Sequence, residues 1–180
     1  MQDNENTADF KIRAERTAEE LVGKLKSLSL TLALAESCTA GLVSGFLANI
    51  PGASGVLWGS FVCYTGEAKI SMLGLDKNAL SAHGFVSRET AVSMAEGALN
   101  KSGAGLAASV TGLAGPQGDG SDVPVGTVWA AAALKNREAR ASEYHFSGSR
   151  NTVRLRAAVA LLELIKNTLE LEASIIKFPA

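Results

Sequence analysis

Two short apolar runs, residues 30–35 and 56–64, each end in a polar knot that is followed at once by helix-like sequence. The first knot is Ala35-Glu36-Ser37-Cys38-Thr39-Ala40-Gly41 and the second is Tyr64-Thr65-Gly66-Glu67-Ala68-Lys69. A strand that passes to a helix through a polar turn is the unit of an open α/β sheet. Such sheets collect their sites in the crevice at the carboxyl ends of the strands. The pattern limits the fold before composition is weighed, and it puts Ser37 and Lys69 where two strand ends can bring them together.

The rest of the chain extends this alternation. Phe10, Ala14, Ala18, Leu21 and Leu25 fall on one helical face. Residues 39–50 read as a small-residue helix with Ala40, Val43, Leu47 and Ile50 inward, stopped by Pro51-Gly52. The apolar run 56–64 is continuous enough for a central strand. Short helices follow at 67–73 and 77–83, and Ser87 caps a further helix that buries Ala91, Met94, Ala95 and Ala98. Residues 104–110 and 127–134 read as strands, and 138–146 as a polar-faced edge strand. A long helix opens at Ser149 and buries Val153, Ala157, Leu161, Leu164 and Thr168. The expected fold class is α/β, a three-layer α/β/α arrangement with a central mixed sheet of about five strands. The sheet is mixed because the later strands have only a loop between them. Residues 1–8 read as disordered and residues 9–180 as a single domain. The glycine-rich loop at 112–126 is longer than a connection needs, and loops of that length are usually functional.

Composition narrows the partners. A formal net charge of −1 over 180 residues removes the electrostatic case for nucleic acid and for an anionic membrane surface. The two cysteines, Cys38 and Cys63, lie in or beside apolar strands, which favours a reduced setting. The polar N-terminus has no signal-peptide core, and no apolar run approaches the ~18 residues of a membrane span. The expectation is a soluble, cytoplasmic protein without a membrane partner. Val56-Leu57-Trp58 and the apolar helix faces leave room for a homo-oligomer contact.

Ser37 sits where a serine most often just caps a helix. Thr39 can supply that cap equally well, which leaves Ser37 for another role. Near a helix N-terminus its oxygen would meet unpaired N–H groups, but a serine also needs a base. His83 and His145 have no motif neighbours, and no G-x-S-x-G elbow occurs. A lysine replaces histidine when burial leaves it neutral. Lys69 is the candidate, although a helix lysine is more often solvated. Tyr64 offers a hydroxyl to bond both, or else simply packs at a strand end. Cys38, with no basic partner in its motif, reads as a buried thiol. Asp119 and Asp122 read as turn formers, and there is no H-E-x-x-H motif or cysteine cluster, so no metal or other cofactor is expected. Thr111 and Gly112 could offer a hydroxyl and N–H groups to a substrate. Arg150 opens the long helix, where helix N–H groups and an arginine fork suit a phosphate.

Six motifs stand in order: AESCTAG (35–41), PGASG (51–55), YTGEAK (64–69), GFVS (84–87), VTGLAGPQG (110–118) and PVGTV (124–128). Together they resemble the C-terminal domain of the competence-damage inducible protein A (CinA) family, known also as nicotinamide-nucleotide amidase. The resemblance implies hydrolysis of the carboxamide of nicotinamide mononucleotide to nicotinic acid mononucleotide and ammonia. By position it makes Ser37 the nucleophile, Lys69 its base and Tyr64 the accompanying hydroxyl. Thr39, Thr111, Gly112 and Arg150 become substrate contacts, and no metal is implied. Ala40 and Gly66 depart from the family pattern, which has glycine and asparagine there. The second change removes a side chain that could contact substrate or position Lys69. The alternatives are a nucleotide-binding regulatory module without turnover, and an amidase for a related nucleotide amide.

Overall fold

Leu32–Glu36 is a run in which all five residues are buried, so it must be covered on both faces and both edges. A computed structural model describes residues 7–177, with side chains as far as residue 172. The elements in chain order are α1 (Thr7–Ser27), β1 (Leu32–Glu36), α2 (Leu42–Ala48), a 3₁₀ turn (Ala53–Gly55), β2 (Leu57–Val62), α3 (Gly66–Leu73), α4 (Lys77–His83), α5 (Arg88–Ser102), β3 (Leu106–Gly112), β4 (Thr127–Leu134), β5 (Arg140–His145) and α6 (Arg150–Lys177). The five strands form one sheet in the order β2-β1-β3-β4-β5. β1 pairs parallel with β2 and β3, whereas β4 pairs antiparallel with β3 and β5. The sheet is therefore mixed, with helices on both sides.

Alternation along the strands divides the core. Leu32, Leu34, Leu106, Ala108, Val110, Val128 and Ala130 pack with buried residues of α1, α2 and α6. Ala33, Ala35 and Ala107 face Leu73, Leu80, Met94 and Ala98 of α3, α4 and α5. Ala131 and Ala133 meet Ala91 and Ala95 of α5. The small residues on this second face let α5 lie close to the sheet, and Ser109 Oγ donates to the Ala91 carbonyl.

Several expectations shift. α1 begins at Thr7, so residues 7 and 8 are helical, and residues 1–6 of the expected disordered segment lie outside the described residues. β2 is an edge strand, not a central one. Its apolar run arises because Val56 turns into the core while Trp58 stacks on Phe61, with 5.4 Å between ring centroids, and stays half-exposed. Of the expected self-contact Val56-Leu57-Trp58, only Trp58 faces outward to that degree. α2 is shorter than residues 39–50, because the chain first makes a turn with positive φ at Ala40 (52°) and Gly41 (90°). That conformation is incompatible with an α-helix of L-residues. β1 and β3 lie two residues further along than expected at their starts, so Thr111 and Gly112 end β3. Among the described residues no helix is long and apolar enough to cross a membrane.

Candidate active site

The nucleophile candidate continues the central strand. Ser37 N–H donates to the Val110 carbonyl (3.0 Å), extending the β1–β3 ladder by one residue. The turn from Cys38 to Gly41 then reverses the chain into α2. Its shape is held by Glu36, whose carboxylate is fully buried. One carboxylate oxygen accepts from the N–H groups of Gly41 (2.9 Å) and Val43 (3.1 Å). The other accepts from Ser44 N–H (2.9 Å) and Ser60 Oγ (3.2 Å). Glu36 thus performs the capping expected of Thr39. From the other side Arg154 of α6 donates to the Cys38 (3.0 Å) and Thr39 (2.8 Å) carbonyls.

Lys69 approaches from α3. Thr65 caps this helix by accepting from Ala68 N–H (3.1 Å), which turns the first helical turn so that Lys69 points inward. Its side chain is only 1 % exposed. Lys69 Nζ lies 2.9 Å from Ser37 Oγ and 3.0 Å from the Cys63 carbonyl oxygen. The Glu36 carboxylate is fully engaged elsewhere, and among the described residues no carboxylate pairs with Lys69. Burial without a counter-ion lowers the Lys69 pKa from its ordinary 10.5. In the neutral form, the amine donates to the Cys63 carbonyl and accepts the Ser37 O–H.

This shift has a measurable consequence for stability. At pH values between the folded and unfolded pKa of Lys69, the unfolded chain holds a proton that the folded chain lacks. Its contribution to stability is therefore fully present above about 10.5, the unfolded value, and is lost as pH falls to the lowered folded value. Lys69→Met removes this titration. The expected result is a higher Tm than wild type at neutral pH, with the difference shrinking as pH rises toward 10.5; parallel Tm profiles would contradict it.

Both thiols are poor nucleophiles. Burial pushes Cys38 up to about 12 and raises Cys63 as well.

The pair opens on a cleft of about 290 Å³ lined by Ser37, Tyr64, Gly66, Phe85, Thr111, Gly112 and Arg150, among others. The structure joins Ser37 and Lys69 by a hydrogen bond, while Tyr64 lines the same cleft with a different partner. Just past the end of β2, Cys63 turns inward and is buried while Tyr64 beside it stays 50 % exposed. The Tyr64 hydroxyl instead accepts from Arg150 Nη2 at the cleft mouth. Arg150 Nη1 donates to the Gly115 carbonyl (2.8 Å), which ties the glycine-rich loop to α6. Thr39 is fully buried and does not line the cleft. Thr111 does line it, but its hydroxyl donates to the Phe85 carbonyl (2.7 Å). Gly112 is required by close approach, as a Cβ there would stand 2.7 Å from Val128 Cγ2 and 2.8 Å from the Thr127 carbonyl oxygen. Asp119 accepts from Ser121 N–H and Oγ and serves its own turn. Among the described residues no three His, Cys, Asp or Glu side chains gather as metal ligands.

Three residues with a part in this architecture were not singled out by sequence reasoning. Glu36 lies inside the first knot, Phe85 inside GFVS, and Arg154 one helical turn beyond Arg150. Arg154 alone carried a usable signal, since its i+4 spacing puts it on the same helix face as Arg150.

The chain is similar to known proteins over most of its length. Residues 14–169 match the family model described as CinA C-terminal domain. The chain is 38 % identical over 161 residues to a CinA-like protein of Thermotoga maritima, covering 89 % of this chain and 39 % of that one. It is 42 % identical over 154 residues to a CinA-like protein of Geobacter metallireducens, covering 85 % and 37 %. The chain thus spans less than half the length of the curated relatives it matches. Among solved structures, a competence/damage inducible protein of Agrobacterium tumefaciens superposes with a TM-score of 0.83 at 38 % identity, covering 88 % of this chain and 96 % of that one. A CinA superfamily protein of Escherichia coli gives 0.83 at 30 % identity, covering 86 % and 90 %. With the family model spanning most of its length, the chain belongs to the CinA C-terminal domain family.

Proposed function

We propose that the protein is a metal-free serine amidase that hydrolyses the carboxamide of nicotinamide mononucleotide, giving nicotinic acid mononucleotide and ammonia. The observation that carries this reading is the buried Lys69 Nζ, without a counter-ion, 2.9 Å from Ser37 Oγ. Neutral Lys69 takes the Ser37 proton while Oγ attacks the amide carbon. The resulting Lys69 ammonium returns that proton to the amide nitrogen, the C–N bond breaks, and ammonia leaves. Water, deprotonated by the same amine, attacks the acyl-enzyme, and Ser37 recovers its proton as the acid is released.

The tetrahedral oxyanion needs N–H donors, each worth on the order of 3 kcal/mol. Those of Gly41, Val43 and Ser44 are occupied by Glu36, and Ala40 N–H by the Ser37 carbonyl. The Cys38 amide, next to the nucleophile and in a residue that lines the cleft, is the donor this reading assigns. A neutral base also suits a cationic pyridinium substrate, since an ammonium at Lys69 would repel it.

Arg150 takes the 5′-phosphate. Two of its N–H groups hold Tyr64 and Gly115, which presents the remaining donors at the cleft mouth. Arg150→Ala is expected to raise KM for the mononucleotide about 30-fold, from the loss of charge-assisted hydrogen bonds, with kcat little changed. The unphosphorylated riboside should be a poor substrate for both proteins and equally so. A KM loss of the same size on mononucleotide and riboside would remove Arg150 from this role. The assay for the activity itself is ammonia release from nicotinamide mononucleotide, with and without a chelator. Turnover abolished by the chelator would replace this mechanism with a metal-dependent one. Tight mononucleotide binding without ammonia would leave a binding module.

A further inference from the structure

Gly66 has an ordinary backbone φ, so nothing in its conformation requires glycine. What requires it is Phe85. A Cβ at residue 66 would lie 2.5 Å from Phe85 Cε1 and 3.0 Å from Cζ, so any side chain there must displace the ring. The phenyl lies against the first turn of α3, the same turn that carries Lys69. It is 49 % exposed, and it lines the cleft into which Ser37 and Lys69 open.

Its backbone is fixed from both sides. Thr111 Oγ1, at the buried end of β3, donates to the Phe85 carbonyl (2.7 Å), and Thr90 Oγ1 of α5 donates to the Gly84 carbonyl (2.6 Å). A half-exposed aromatic ring on backbone fixed in this way, at a cleft wall, offers a flat surface to a ligand. Its face carries negative electrostatic potential and attracts a cationic ring, and flat rings stack on it in preference to puckered ones.

We propose that Phe85, seated on Gly66, is the surface against which the planar cationic ring of the amide substrate stacks, so that this pair sets the preference for ring carboxamides. The proposal rests on the amidase reading for its substrate. Its test does not need turnover, because binding is measured in the Ser37→Ala protein. The probes are nicotinamide mononucleotide and its reduced form, which keeps the ribose and phosphate but has an uncharged, puckered ring.

Phe85→Leu retains apolar bulk and loses the π face. It is expected to raise the Kd of nicotinamide mononucleotide about tenfold, and that of the reduced form less than about twofold. Phe85→Tyr should bind both probes as the parent does. Gly66→Asn should displace the ring and reproduce the Phe85→Leu loss, with little added when the two are combined. Phe85→Trp should show tryptophan emission quenched by the oxidised probe, beyond any response of Trp58 and Trp129 in the parent. Equal losses for the two probes would make Phe85 merely structural and overturn the proposal, as would an unchanged Kd in Phe85→Leu or no binding by the parent. Binding by the parent with no ammonia release from the wild type would defeat the amidase reading and leave the stacking surface standing.

Discussion

Ser37→Ala is expected to lower ammonia release from nicotinamide mononucleotide by about four orders of magnitude or more, with mononucleotide binding retained. A hydroxyl that forms the acyl bond has no substitute in the cleft, and the two thiols in or near it are held protonated by burial. Lys69→Ala should fall as far, because an unassisted serine hydroxyl is a weak nucleophile near neutral pH. The double variant should be no slower than either single one, since residues that act as a unit lose their effect together. Lys69→Arg should not recover the rate, as a guanidinium stays protonated and cannot serve as the base. The measurement is single-turnover ammonia release beside a binding isotherm for each variant. Wild-type turnover in Ser37→Ala would end the covalent mechanism, and wild-type turnover in Lys69→Ala would assign the base elsewhere.

Glu36→Ala carries the largest expected loss of stability. The substitution leaves the N–H groups of Gly41, Val43 and Ser44, together with the Ser60 hydroxyl, without their acceptor in a region where Glu36 itself is fully buried. Hydrogen bonds to a charged acceptor contribute about 1.5–3 kcal/mol each, and unsatisfied buried donors add a desolvation cost. Water entering the space offsets part of this, so a net loss of about 4 kcal/mol is expected, read as a lower denaturant midpoint. Glu36→Gln should be milder but still damaging, because its NH₂ group must face N–H or O–H donors. A midpoint for Glu36→Ala within about 0.5 kcal/mol of wild type would show that the turn holds its shape without the carboxylate. Activity should fall in both variants, as the turn that presents Ser37 and the Cys38 amide loosens.

The alternation of strands and helices was legible from periodicity and turn residues. α4 and β4 fall where the pattern puts them, and Ser87 caps α5 by accepting from Thr90 N–H. The edge position of β2 was not legible, since an apolar run reports covered faces and says little about hydrogen-bonding edges. Ser37 and Lys69 were readable as a pair because both knots end neighbouring parallel strands. Tyr64 shares the cleft with both, but its hydroxyl pairs with Arg150 of α6, a partner that lies 86 residues further along the chain and that strand-end reasoning does not reach. Glu36 escaped notice because side-chain capping rules look three residues ahead, and its carboxylate reaches amides five to eight residues on. Gly66 looked like a missing side chain, yet its space is filled by Phe85 from a distant part of the chain.

Ser37 is stitched into the sheet at its own amide, and the residue before it accepts from Cys63 N–H on the other side. The Ser37 hydroxyl therefore stands on backbone that opens only when the central strands separate. Backbone of this kind exchanges its amide hydrogens near the free energy of global unfolding. Tyr64, Phe85 and the glycine-rich loop, which form the cleft's rim, lie outside that ladder. The candidate nucleophile thus stands on a floor as persistent as the fold itself, and the walls around it are pinned to that floor through the Thr111–Phe85 and Arg150–Gly115 hydrogen bonds.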